Sequence, residues 1–191
     1  MTSLDRVRFR RADASDSDGI ALLHAASWRR HYRGAYSDSF LDGDVVADRL
    51  AVWRGRLRNP PAECQTIVAE AADTVVGFGH TVFECDPMWG ALLDNLHVAS
   101  THQRRGIGSG LLSLIGEAVV RRRPRSALHL WVLEQNSSAQ AFYAALGGRC
   151  VGGGIVEAPG GDPSRLSGHP RKLRYAWTDP AALVCSTPVS P

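Results

Sequence analysis

Leu93-Asp94-Asn95-Leu96-His97-Val98-Ala99-Ser100-Thr101-His102-Gln103-Arg104-Arg105-Gly106-Ile107-Gly108-Ser109-Gly110-Leu111-Leu112 runs from an apolar strand through a glycine-rich loop into the start of a helix. A loop of this kind suits a phosphate group. Glycines let the backbone approach an anion, and the first-turn amides of the next helix lack carbonyl partners and point outward with the positive end of the helix dipole behind them.

Spacing separates the kinds of phosphate loop. A Walker loop places Lys and then Ser or Thr after its last glycine, whereas Gly110 is followed by Leu111 and Leu112. A dinucleotide fingerprint has its first glycine at the strand end, a third glycine three residues after the second, and an acidic residue about twenty further on. Here Gly106 lies well past Val98, position 111 is Leu, and the region that should be acidic holds Arg121 to Arg125. Both readings fail.

The downstream sequence supplies a second constraint. Leu111, Leu112, Ile115 and Val119 form an apolar stripe at helical spacing, and Arg123-Pro124 should end that helix. Ala127-Leu128-His129-Leu130-Trp131-Val132-Leu133 is a nearly continuous apolar run, as expected for a strand buried on both faces. Strand, loop, helix and strand make a βαβ unit with a right-handed crossover. Asn136-Ser137-Ser138 then offers cap residues to a helix carrying Ala139, Phe142 and Leu146, with Gly147-Gly148 as its stop.

Gln103-Arg104-Arg105-Gly106-Ile107-Gly108 resembles the Gln/Arg-x-x-Gly-x-Gly/Ala signature of the GNAT acyltransferase superfamily. Asn136-x-x-Ala139-x-x-Phe142-Tyr143 followed by Leu146-Gly147 resembles that family's second signature, in the right order after an intervening helix and strand. The strong resemblance covers Leu92 to Gly148. It implies an α/β fold with a mixed, mostly antiparallel sheet, two splayed parallel central strands at Leu92–Val98 and Leu128–Leu133, and helices on both faces. It also implies acetyl-coenzyme A as co-substrate and no metal. Gln103, Arg104, Arg105, Gly106, Ile107, Gly108 and Ser109 would hold the pyrophosphate, Leu96 and Val98 the pantetheine arm through the main chain, and Asn136 would add a side-chain contact.

The implied reaction is acetyl transfer to an amine of a small molecule or a protein N-terminus by direct attack in a ternary complex. Tyr143 matches the general acid that protonates the departing thiolate. The base is open. Many relatives carry a glutamate near the place Leu92 occupies, so Asp94, His97 and Glu84 are the candidates. Period-2 alternation puts Leu92, Asp94, Leu96 and Val98 on one face, with Asp94 beside the thioester, although a bulge would reverse part of this. Trp28, His31, Tyr32, Arg33 and Tyr36 are candidates for the acceptor wall or for plain packing. A non-catalytic acyl-coenzyme A sensor on the same fold is the alternative function; it would keep the glycine loop and need no Tyr143.

Composition is consistent with one domain over residues 1–178, the GNAT unit, with a frayed tail over 179–191. The N-terminal region is charged every few residues, and no apolar run approaches the ~20 residues of a bilayer span, so a cytoplasmic protein without membrane contact is expected. Cys64, Cys85, Cys150 and Cys185 show neither zinc nor disulfide spacing. The net charge of +3, with Lys172 the single lysine among 22 basic residues, is too small and dispersed for nucleic acid. Arg121-Arg122-Arg123 reads as a solvated helix end. Homodimer formation stays open.

The rest of the chain reads as a strand at Val7–Arg10, a helix capped near Asp16-Ser17-Asp18 and carrying Ile20, Leu23, Ala26 and Ser27, and a second helix over Val45–Leu57. Strands follow at Gln65–Ala69 and Thr74–Phe83 around an Ala72-Asp73 turn. Two last strands are expected at Arg149–Ile155 and Lys172–Trp177.

Overall fold

The computed structural model describes residues 7–184. Seven strands form one sheet: β1 (Arg8–Arg11), β2 (Cys64–Ala71), β3 (Thr74–Asp86), β4 (Gly90–Val98), β5 (Leu128–Leu133), β6 (Arg149–Ile155) and β7 (Arg171–Trp177), in the order β1-β2-β3-β4-β5-β7-β6. Every neighbouring pair is antiparallel except β4 and β5. Ala72 and Asp73 close the β2–β3 hairpin with φ of 46° and 58°. Two successive left-handed residues match the strand twist, as in a type I′ turn.

Helices α1 (Ser17–His31) and α3 (Val45–Arg58) cover one face, burying Ile20, Ala21, Trp53 and Leu57 against Val68 and Phe78. Helix α4 (Ile107–Arg122) covers the other, with Ile107, Leu111, Leu112, Ile115 and Val119 buried, and α5 (Ser137–Ala145) joins the same core through Phe142 and Tyr143. The stripe read for α4 is the buried one. In α1 the buried stripe is Ile20, Ala21, His24, Ala25 and Trp28, so the inner face carries a histidine.

Two departures from regular pairing shape the site. The parallel ladder joins only Ala91 to Leu128, Leu92 to His129 and Leu93 to Leu130, after which β4 and β5 part. On its other side β4 pairs His80 with Asn95 but Thr81 with Leu93, so Asp94 is an extra residue, a β-bulge. The bulge switches the strand's parity. Ala91 and Leu93 before it and Leu96 and Val98 after it all pack into the α4 core. The expected face of Leu92, Asp94, Leu96 and Val98 is therefore corrected: Asp94 does not stand beside Val98 but reaches Arg56 of α3 on the opposite side.

A short helix unread in the sequence, α2 (Asp38–Asp42), inserts Phe40 and Leu41 into a core with Trp28 and Tyr36. The expected fraying from Asp179 does not hold for its first residues. Ala181–Val184 forms a helical turn, α6, whose Leu183 is buried against Gly116 of α4 because glycine leaves room there. Residues 185–191, including Cys185, lie outside the described residues.

Candidate active site

Where β4 and β5 part, a cavity of about 720 Å³ opens between the strands, the α4 loop, α5 and the end of α1. Gly106 begins α4 in the left-handed region, φ 80°, with open space where a side chain would project. An L residue in this conformation costs roughly 1–2 kcal/mol, which accounts for glycine here. The neighbouring Arg104 also has positive φ, 61°. Together they turn the chain so that Gly106, Gly108 and Ser109 line the cavity. The first-turn amides of α4 have no intrahelical acceptors, and the helix dipole is positive at that end. A Cβ on Gly108 would lie 3.2 Å from Phe142 Cζ, so glycine also lets α5 close on the loop. This cradle and the unpaired strand edges fit a pyrophosphate joined to an amide-bearing arm.

Several expected cofactor residues meet here. Leu96, Val98, Gln103, Arg104, Gly106, Gly108, Ser109 and Asn136 all line the cavity. Gln103 Nε2 donates to the Val98 carbonyl at 3.3 Å. Asn136 has a structural duty as well: its Oδ1 accepts from the Ala139 amide (3.2 Å), capping α5. Arg105 is exposed and outside the lining, and Ile107 is buried in the core below the loop. For these two residues the expected contact is through the loop amides, not the side chains.

Tyr143 is 8 % exposed, lines the cavity and packs against Phe142, Tyr175 and Trp177. Burial first, and Tyr32 second, push its phenol well above the usual value. Its proton is therefore held throughout the neutral range.

His97 lines the cavity from β4. Its Nδ1 shares a 2.8 Å hydrogen bond with Ser27 Oγ, and no described residue bonds its Nε2. Its ring stacks on that of His24 with centroids 4.6 Å apart. The Trp53 indole is only a donor, and it donates to His24 Nδ1 at 3.0 Å, so His24 is neutral with its proton on Nε2. Burial, then the charges of His31 and Arg49, push His97 down to about 3, with Asp94 pulling the other way. His24 is lowered too, by burial first and then by His97. This is an uncharged pair.

Asp94 also lines the cavity, but its Oδ2 accepts from Arg56 Nη1 (2.8 Å) and Asn95 Nδ2 (2.6 Å). Glu84 does not belong to this site. It pairs with Arg123 beside a separate hollow bounded by Cys85, Met88 and Ser126. It lies near the far end of β3, whereas β4 faces the cavity with its other half. Arg121 and Arg123 are likewise absent from the cavity lining, and Arg122 covers Phe83.

Of the candidate acceptor wall, His31 and Tyr32 line the cavity. Trp28 and Tyr36 are core, and Arg33 is tied to Asp38 and Asp42. Ser27, Asn95, Trp131 and Phe142 also line it and were not among the expected site residues. Ser27 carried no motif. Among the described residues no cluster of three or more His, Cys, Asp or Glu is suited to a metal ion, and no helix is long and apolar enough to cross a membrane.

Comparison with known proteins agrees with this arrangement. Residues 62–147 match the family described as Acetyltransferase (GNAT) domain. A relative from Mycobacterium tuberculosis, named Probable N-acetyltransferase Rv2775, is 28% identical over 141 residues, 72% of this chain and 76% of its own. The PaiA N-acetyltransferase of Thermoplasma acidophilum, solved with coenzyme A, superposes with a TM-score of 0.64 at 18% identity, over 90% of this chain and 99% of that one. YncA of Salmonella typhimurium, solved with its cofactor acetyl-CoA, gives 0.61 at 18% identity, over 91% of this chain and 94% of that one. Residues 62–147 thus resemble GNAT acetyltransferases, and the solved structures share the fold of the chain.

Proposed function

We propose that this protein is an N-acetyltransferase that moves the acetyl group of acetyl-coenzyme A directly onto an amine bound beside it, within a single domain. The observation that carries the reading is the splay of β4 from β5 beyond Leu93 and Leu130, with the Gly106 cradle and the Tyr143 phenol lining one cavity. Gly106, Gly108 and Ser109 hold the pyrophosphate with Arg104 and Gln103. The free edge of β4 past Leu93 supplies main-chain partners for the pantetheine amides. Acetyl-coenzyme A supplies an activated thioester.

The chain's residues handle the protons. His97 lines the cavity and would receive, at Nε2, the proton that the amine nitrogen loses as it bonds to the carbonyl carbon. Tyr143, held protonated, donates to the departing sulfur; general acid catalysis of this kind contributes ~10²- to 10⁴-fold. Asp94, matched by Arg56, acts on the site through its charge rather than as the proton acceptor.

The test is calorimetry of acetyl-coenzyme A binding joined to thiol-release assays. Gly106→Asp places a carboxylate where the anion should sit and is expected to abolish binding. Gly106→Ala, which carries the backbone strain without the charge, should keep most of the affinity. Wild-type affinity in a folded Gly106→Asp protein would remove the loop from the site.

A further inference from the structure

Resting on the acetyltransferase reading, we propose that the acceptor is a neutral, weakly basic amine with a flat apolar body, an arylamine by chemical class, and not an alkylammonium. The acceptor end of the cavity, lined by Ser27, His31, Tyr32, Asn95, His97 and Trp131, holds hydrogen-bonding and aromatic groups but no unmatched negative charge. Asp94, the one carboxylate among the described residues that line the cavity, is already tied to Arg56.

The aromatic face of Trp131, which lines the cavity, is also taken: Lys172 and Arg174 lie over it at 4.6 and 4.5 Å. An ammonium entering this end would give up water for a region where carboxylate and ring are both matched by guanidinium or ammonium. A neutral amine has no such penalty, and its ring finds Tyr32 and the apolar strand residues Leu130 and Val132.

The proton balance agrees. The amine lone pair forms the N–C bond, the C–S bond breaks with its electrons on sulfur, the nitrogen gives a proton to His97 Nε2, and sulfur takes the Tyr143 proton. Water in the cavity then returns the proton from His97 to Tyr143. The groups that face His97 and His24 are His31 and Tyr32 of α1, Arg49 and Arg56 of α3, and Asp94 of β4, with Tyr143 also lining the cavity from α5. A weakly basic imidazole cannot strip an alkylammonium, but it suffices for the acidic proton on an arylamine nitrogen that has begun to bond to the carbonyl carbon.

Aniline and benzylamine test this as acceptors matched in their ring. Thiol release would be measured at saturating acetyl-coenzyme A between pH 6 and 9, with cofactor binding followed by calorimetry on the same preparation. Aniline should be acetylated with a flat kcat/KM. Benzylamine should be at least about tenfold poorer at pH 7, its kcat/KM rising about tenfold per pH unit as the free base appears. Arg56→Gln, which releases the Asp94 charge, should move the preference several-fold toward benzylamine; an unchanged ratio counts against the proposal. Equal or better use of benzylamine at pH 7 overturns it, and so does failure of both amines while acetyl-coenzyme A still binds. Loss of cofactor binding in the wild type would instead defeat the acetyltransferase reading itself.

Discussion

Tyr143 and Asp94 illustrate how the same cavity gives two side chains opposite standing. The Tyr143 ring is fixed by three aromatic neighbours, so removing its hydroxyl leaves packing intact. Tyr143→Phe should lower turnover about ten- to a thousandfold at saturating cofactor, the lower part reflecting water as a partial substitute, with cofactor affinity nearly unchanged. Equal turnover in steady-state assays would make Tyr143 a core aromatic and favour a sensor. Asp94 is already engaged through Oδ2 by Arg56 and Asn95. Asp94→Asn should therefore keep turnover within about threefold and leave the acidic side of the pH–rate profile in place. A larger fall, with that acidic limb abolished or moved, would make Asp94 the base after all.

At the scale of elements, much was legible and the reasons are specific. The α4 loop could be read because a phosphate cradle needs glycine and a helix start at fixed spacing, and α5 because Asn136 caps it and Gly147, φ 82°, ends it. The parting of β4 and β5 came from the family resemblance, not from the residues; period-2 patterning does not say where a ladder ends. The bulge at Asp94 was hidden because an extra residue leaves no compositional mark, and it turned the expected Asp94–Val98 pair into residues on opposite sides. Glu84 failed as a candidate because distance along β3 is not visible in sequence.

The turn α6 was missed because its burial depends on an absence, the side chain that Gly116 lacks. A Cβ there would lie 2.9 Å from the Pro180 carbonyl oxygen and 3.0 Å from Leu183 Cβ. Gly116→Ala should gain up to about 1 kcal/mol of helix propensity but lose more by displacing the turn, since overpacking costs about 1–3 kcal/mol. The expected net is a lower urea midpoint, accompanied by faster proteolysis near residue 180. A midpoint at or above wild type would show that the turn yields without cost.

For the whole molecule, the histidines set the pH limits of stability. His24, His80 and His129 are buried, and His97 sits in the partly closed cavity. All four have pKa values lowered chiefly by burial, His80 to about 4 and His97 to about 3. Each is neutral in the folded chain and takes up a proton near pH 6.5 when unfolded, so the unfolded state binds more protons just below that pH. Their contribution is complete above the unfolded value and is lost as pH falls toward the folded values. Each histidine then removes up to about 1.4 kcal/mol per pH unit, and carboxylates held low by their partners, such as Glu70 beside Arg10 and Asp86 beneath the Trp89 amide, add to the loss toward the acid end. Urea unfolding should show stability nearly constant from pH 8 to 7 and falling steeply between pH 6 and 4. His80→Asn, which keeps a polar partner for Thr66 Oγ1, should make that fall shallower. Stability independent of pH over that interval would mean that these rings are protonated in the folded protein, and the uncharged cavity argued from His97 and His24 would fail with it.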